Sequence, residues 1–315
     1  MILVCGEALF DVFSENSNGP SIPFHAVIGG SPFNVAVGLA RLQAEVGFFG
    51  GISKDTLGQK LIDQLDKEGV DTSMVHRSNA LTTLSLVQKD ANGVPAYTFY
   101  GEGAADRMVT AENLPSLRTS PTFIHVGSYT ALVKPVSDSL KTLIARHKDS
   151  SLISFDPNIR PTVEPDMELW RENTAELAKS ADLIKVSDED LSLIHPGKNP
   201  AEIAHNWISG GSKLVVVTRG GDGATGYTAD HEVLIKGRKV DVIDTVGAGD
   251  TFQAALMAGL NDRHILNRKQ LQSIDPETLK GLLETAAEAA AITCSRQGAD
   301  LPRRSEVNGF AAAAK

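Results

Sequence analysis

The sequence predicts an α/β protein, with a mostly parallel sheet covered by helices on both faces and a small antiparallel flap attached. Three observations lead there. Short apolar runs alternate with helix-like segments along most of the chain. Each apolar run ends in polar or glycine-rich residues. Two stretches break that rhythm with strand-like alternation. Buried strands separated by crossover helices make a parallel sheet with both faces covered.

Taken in order, "ILVCGEAL" and "AEVGFFGGI" read as strands around a helix at Ser31–Leu42, with Ser31 as its N-cap and Pro32 at the first helical position. Asp55–Gly69 reads as an amphipathic helix ending on glycine. "TFIHVGSY", "SLISFDPN", "ADLIKVSD" and "KLVVVTRG" supply further buried strands, and helical patterns lie between them at Val136–Lys148, Met167–Ala181 and Ala201–Ser209. "LTTLSLVQKDANGVPAYTFYGE" alternates apolar and polar residues on each side of Asn92-Gly93, a strong hairpin signal. The polar region Val12–Val27 has two prolines and no helical face. These two stretches, about 12–28 and 81–104, form the predicted flap. "YTADHEVLIKGRKVDVID" reads as a second antiparallel ribbon, and a long helix follows at Pro276–Cys294. With no repeat and no linker composition, residues 1–310 read as a single domain and the Ala-rich 311–315 as a frayed tail.

Composition narrows the function classes. The chain has 315 residues, 42% hydrophobic and 22% charged, enough to bury a sizeable core. It holds no apolar run long enough to span a membrane, and its first residues lack a basic n-region, so no membrane partner and no signal peptide are expected. Only Cys5 and Cys294 occur, which fits a reducing, cytoplasmic setting and gives no metal spacing. A formal charge of −9 repels nucleic-acid phosphates, so no nucleic-acid partner is expected.

In open parallel sheets ligands collect beyond the carboxyl ends of the strands. "DTVGAGDTF", Asp244–Phe252, stands at such a place. Three small residues, Gly247, Ala248 and Gly249, precede Asp250 at the start of a helix-like run. The first N–H groups of a helix lack partners and carry partial positive charge, so small residues there expose a cradle for an anion. A carboxylate beside that cradle fits phosphoryl transfer: the amides stabilise the moving group while Asp250 accepts the proton of the attacking hydroxyl. A helix cap with a tight glycine bend is the competing explanation.

The company of this motif decides between them. "GGSPFNVAVGLARLQAEVGFFGGISKDTLG" and "DTVGAGDTFQAALM" resemble the N- and C-terminal signatures of the ribokinase-like (PfkB) sugar kinases, and within them the fructokinases, over about residues 1–303. The resemblance implies a three-layer α/β/α fold with a β lid. It implies that Asp250 is the catalytic base and that Gly247, Ala248 and Gly249 form the anion hole. Asp11, Gly29, Gly30 and Asn34 match positions that meet the sugar; each makes chemical sense alone, though Asn34 could also be a helix-surface residue and Gly29-Gly30 a turn. In "FDPNIRP", Arg160 is a candidate for steadying substrate or phosphate, with Asn158 in support and a surface salt bridge as the alternative. "GEGAADRMVT" resembles the segment after the lid, with Ala105 and Asp106 near the sugar and Arg107 as a substrate residue. Tyr97, Phe99 and Tyr100 alternate along the hairpin, to pack the flap, a subunit contact or the sugar.

"VVVTRGGDGATG" resembles the nucleotide loop, in which Thr218, Gly220 and Gly223 would meet ATP. Gly221–Gly226 also fits G-x-G-x-x-G, but the dinucleotide fingerprint must open a helix and here a strand-like segment follows, so a dehydrogenase is rejected. "KVSDEDL" departs from the family's Asn-x-x-Glu: Ser187 and Asp190 stand there instead, which leaves the handling of Mg²⁺ open. Lys185 reads as an ordinary surface lysine. Asp244 and Gly298 mark where some relatives bind a monovalent cation such as K⁺.

The expectation is therefore an ATP-dependent kinase that phosphorylates a primary hydroxyl of a small sugar, fructose first. 2-Keto-3-deoxygluconate, whose carboxylate Arg107 and Arg160 could serve, or a nucleoside is the alternative acceptor. A catalytically inactive binding or scaffold protein is the alternative of another class. Retention of Asp250 and its three small neighbours argues against it, and the Ser187/Asp190 pair is its only support. The open edges of the flap point to a homodimer.

Overall fold

The computed structural model describes residues 1–14, 20–89 and 95–311. Asn92-Gly93 and the tail beyond residue 311 lie outside the described residues. The strands, in chain order, are β1 (Ile2–Cys5), β2 (Leu9–Ser14), β3 (Phe24–Gly29), β4 (Val46–Phe49), β5 (Gly51–Ser53), β6 (His76–Ser78), β7 (Leu84–Lys89), β8 (Pro95–Tyr100), β9 (Phe123–Gly127), β10 (Leu152–Asp156), β11 (Leu183–Ser187), β12 (Leu214–Thr218), β13 (Ala224–Tyr227) and β14 (Glu232–Ile235). The helices are α1 (Ser31–Arg41), α2 (Thr56–Glu68), α3 (Val136–His147), α4 (Met167–Ala178), α5 (Asp188–Ile194), α6 (Pro200–Ser209), α7 (Ala248–Asp262), α8 (Arg268–Gln272), α9 (Pro276–Cys294) and α10 (Asn308–Ala311).

The main sheet runs β14-β13-β12-β11-β10-β9-β1-β4. It is parallel from β4 to β12, and β13 and β14 add an antiparallel edge. Successive residues of a strand point to opposite faces, so each central strand feeds two apolar layers. Ile124, Ile153 and Ile184 pack with Leu140 of α3, Leu177 of α4 and Trp207 of α6. Phe123, Leu152 and Leu183 pack on the other face with Leu39 of α1, Leu256 of α7 and Leu282 of α9. Each such side chain contributes about 1.5–3 kcal/mol on leaving water. The result is the expected three-layer arrangement.

Local chemistry sets the element ends. Asp55 caps α2 by accepting from Gly58 N at 2.6 Å, and Gly69 ends it in the left-handed conformation at φ 84°. Asp275 caps α9 in the same way through Thr278 N at 2.9 Å, with Pro276 at the helix start.

Two hairpins, β2/β3 and β7/β8, are antiparallel within themselves and join in parallel through β2 and β7, in the order β3-β2-β7-β8. This four-stranded sheet is the smaller sheet expected as the flap, its two hairpins joined in parallel. Its register sets Asp11 opposite Val27 on one side and Ser85 on the other.

Three expectations change. Gly30, not Ser31, is the N-cap of α1; Ser31 is its first residue, because its hydroxyl is committed elsewhere. The helix from Met167 stops at Ala178, and Ser180 and Ala181 turn back onto Leu177 O. The second ribbon ends at Ile235: residues 240–243 form an exposed loop, and the Ile243 N–H goes to Cys294 O at the end of α9 rather than to a strand partner.

Candidate active site

Gly247 caps α7 at φ 78°, a conformation that disfavours any side chain, and a Cβ there would come 2.7 Å from the Cβ of Ala299. Glycine at 247 therefore serves both the turn and the close packing. It places Ala248, Gly249 and Asp250 in the first turn of α7, where N–H groups concentrate positive potential. The Ala248 N–H closes a turn on Thr245 O at 3.2 Å.

Asp250 is buried, and both of its oxygens are held by α1. Ser31 Oγ donates to Oδ1 at 2.6 Å and Asn34 Nδ2 donates to Oδ2 at 2.8 Å. Asn34 is thus no surface residue. The helix that follows Gly29-Gly30 orients the carboxylate at the start of α7. Gly30 makes the bend between β3 and α1 at φ 105°, and a Cβ on it would stand 2.9 Å from Glu7 O. Asp11 covers Gly29: a Cβ there would meet Asp11 Oδ2 at 2.4 Å. Burial pushes the Asp11 carboxyl up, opposed by Ser85 and the nearby Arg160 charge and reinforced by Asp250. Asp11, Gly29, Gly30, Asn34, Arg160 and Asp250 therefore share one neighbourhood, at the junction of lid and sheet.

Arg160 donates to its own loop, Nη1 to Ile159 O at 3.0 Å. That loop is tied down by Asp190, whose Oδ1 accepts from Ile159 N at 2.9 Å while Ser187 Oγ donates to Oδ2 at 2.7 Å. Ser187 and Asp190 thus engage each other and the Arg160 loop. Each Asp190 oxygen accepts one of these bonds, and no cluster of three metal-ligating side chains occurs among the described residues.

Arg107 packs against Tyr129 and Gly101. Its guanidinium lies 5.2 Å over the Tyr129 ring, its Nε is buried without a hydrogen-bond partner, and its Nη2 would sit 2.8 Å from a Cβ on Gly101. Beneath it Asp106 accepts from Thr83 Oγ1 and, at 2.7 Å, from Tyr129 OH. Burial raises the Asp106 carboxyl, with Thr83, Tyr129 and Arg107 opposing. Glu7, fully enclosed after β1, accepts from Thr130 Oγ1 at 2.7 Å and is pushed up to about 7 by burial.

At the other end of the sheet edge, Thr218 ends β12 and its hydroxyl reaches Val186 O at 3.5 Å. Gly220, at φ 47°, and Gly221 have open space where a side chain would be. Gly223 is a packing glycine: a Cβ on it would lie 2.2 Å from Ile235 O. Asp244 knits two loops together, accepting from Val246 N at 3.0 Å and from Gly298 N at 2.9 Å.

Lys185 corrects the surface reading. It is 4% exposed and pairs with Asp156 at 2.7 Å. Burial works to lower its pKa, but Asp156, Asp250 and Asp190 together raise it. A lysine inside the apolar run "LIKVS" of a strand covered on both faces was itself the signal that an acid must lie nearby. A cleft of about 380 Å³ opens beside β3 and α1, with Asn34 and Ala299 in its wall; Asp250 does not line it.

This geometry has close relatives. The chain is 36% identical over 304 residues to a fructokinase of Rhizobium leguminosarum bv. trifolii, covering 96% of this chain and 91% of that one. A fructokinase structure from Xylella fastidiosa with bound ATP superposes at a TM-score of 0.89, with 27% identity, over 99% of this chain and 98% of that one. A Vibrio cholerae O395 fructokinase bound to fructose, ADP and calcium ion gives a TM-score of 0.83, with 26% identity, over 98% of each chain. The pfkB family carbohydrate kinase pattern matches residues 1–306. The chain belongs to the pfkB family of carbohydrate kinases.

Proposed function

We propose that the protein is an ATP-dependent fructokinase acting on a primary hydroxyl of the sugar. One observation carries this reading: Asp250 stands buried at the glycine-rich start of α7, aimed by two donors from the helix that follows the lid. The fructokinase relatives supply the sugar.

The residues divide the work as follows. Asp11 and Asn34, with the backbone at Gly29 and Gly30, align the sugar hydroxyls. Asp250 accepts the proton as the sugar oxygen forms its bond to the γ-phosphorus. The bond from that phosphorus to the bridging oxygen breaks, and ADP leaves with the electron pair. The nest of Gly247, Ala248 and Gly249 stabilises charge on the group in transfer, the Ala248 N–H exchanging its turn bond to Thr245 O for the phosphoryl. Arg160, held by the Asp190-anchored loop, steadies the phosphoryl or the sugar, and Arg107 backs the substrate side. Thr218, Gly220 and Gly223 shape the nucleotide loop, with Gly220 and Gly221 leaving bare backbone for the phosphates and Ser187 beside them. Mg²⁺ carried by the nucleotide neutralises phosphate charge when bound, and the Asp190 carboxylate suits contact through its waters. A monovalent cation such as K⁺ fits the Asp244–Gly298 region, where backbone carbonyls would do the binding.

The lid presents Phe13, Phe24 and Tyr100 at its surface, and a homodimer through these strands would cover them. Among the described residues no helix is long and apolar enough to cross a membrane. A cytoplasmic setting accords with the two scattered cysteines, and the charge of −9 argues against nucleic-acid partners. ADP production with a panel of sugars tests the reading. Fructose should stimulate it most; stimulation by 2-keto-3-deoxygluconate instead would move the acceptor, and no response to any sugar would favour a binding protein.

A further inference from the structure

Lys185 and Asp156 form the one ion pair among the described residues whose side chains are both buried, at 5% and 1% exposure. The pair joins the last residue of β10 to the middle of β11, next in register after Ser154–Leu183 and Phe155–Ile184. Asp156 Oδ1 has no hydrogen-bond partner. On its other side the Lys185 ammonium would come 3.1 Å from a Cβ on Gly249, so it rests against the backbone of the nest. Asp250 of α7 and Asp190 of α5 act on it electrostatically, as Asp156 does from β10, and His125 of β9 shares the pocket. One carboxylate thus pairs with the ammonium, and the charges of two more act on it.

As a device for stability alone the pair is a poor choice. Removing two charges from water costs about as much as their attraction returns, and apolar residues of the same volume often serve as well. The position of the pair is what calls for an explanation. A fixed positive charge in a site poor in water strongly stabilises negative charge that develops beside it.

We propose that Lys185 is a positioning residue for phosphoryl transfer: clamped by Asp156, its ammonium holds positive potential against the Gly247–Gly249 backbone and fixes the Asp250 carboxylate. This rests on the kinase reading. Lys185 transfers no proton; it acts through the nest and through Asp250, with Asp156 as its anchor.

The test compares Lys185→Met in an Asp156→Asn background, which removes both charges of the contacting pair, with Lys185→Arg alone. For each, kcat, fructose and ADP affinity by calorimetry, and the thermal midpoint are measured beside the native chain. The neutral pair should keep the native midpoint within a few degrees and fructose affinity within about threefold, while kcat falls about 100-fold, the scale seen on losing one stabiliser of transition-state charge. Lys185→Arg, which keeps the charge, should retain at least about a tenth of native kcat, within the same scale. A neutral pair with near-native kcat would overturn the proposal. So would one that does not fold, since the charges would then serve the fold, and so would a Lys185→Arg loss as deep as that of the neutral pair. Native turnover with fructose, recorded alongside, separates these outcomes from a failure of the kinase reading.

Discussion

Ser31 Oγ lies 2.6 Å from Asp250 Oδ1, across 219 residues of chain. The contact ties the first residue of α1 to the first turn of α7, and it turns one face of a carboxylate away from solvent. Asn34, one turn along α1, holds the second oxygen. Hydrogen bonds to an ionised group contribute about 1.5–3 kcal/mol each, enough to choose one rotamer over its competitors. Ser31→Ala should therefore lower kcat about tenfold through misaligned carboxylate geometry, an effect of that energy scale, while fructose KM stays within about twofold. Steady-state kinetics on the variant checks both numbers.

Gly247→Ala should damage stability and rate together. The left-handed conformation costs a side chain about 1–2 kcal/mol, and the new methyl would press on Ala299, 2.7 Å away. The thermal midpoint should fall by several degrees and kcat by at least about tenfold, the two measured on one preparation. Gly69→Ala, left-handed with open space at the end of α2, should cost stability of the same order and leave kcat unchanged.

Glu7 makes stability depend on pH. Burial raises its folded-state value from 4.5 to about 7, with Thr130 and Ser128 opposing and Asp106 reinforcing the rise. The folded state thus binds this proton more tightly than the unfolded chain. That stabilisation is complete below about pH 4.5 and is lost as pH climbs through 7, a change on the order of 3 kcal/mol. Glu7→Gln removes the titration and keeps an acceptor for Thr130. Between pH 5 and 8 its unfolding free energy should fall less than that of the native protein by about this order of magnitude, read from urea unfolding at each pH.

Asp244→Ala should weaken nucleotide handling selectively. Both oxygens of Asp244 are spent on backbone N–H groups, one of them at Gly298 beyond α9. Loss of that tie frees the loop ahead of the nest and the turn after α9. KM for ATP should rise about tenfold, the worth of one or two hydrogen bonds to a charged group, with fructose KM changed much less. An equal rise in both would show that the tie serves the whole cleft.

Much of this was readable in the residues. The alternation of apolar runs and helical patterns carried the three-layer fold, and Asp55 and Gly69 marked the ends of α2 because capping chemistry is local. "GAGD" placed a bare backbone and a carboxylate together for the same reason. What escaped depends on parts of the chain far apart in sequence. Ser31 has the chemistry of an N-cap, and only the packing of α1 on α7 shows that its hydroxyl serves Asp250 instead. Lys185 looks ordinary until β11 is set beside β10, where the strand register delivers Asp156. Asn158 adopts φ 41°, a turn that no local pattern announced.

The most direct measurement compares native protein with Asp250→Asn. The amide keeps the shape and can still meet Ser31 and Asn34, but it cannot take the hydroxyl proton. Loss of a general base costs about 10²–10⁴ in rate, so kcat should fall at least 100-fold with fructose affinity by calorimetry unchanged within about threefold. An Asp250→Asn protein that keeps more than about a tenth of native kcat would show that the proton goes elsewhere.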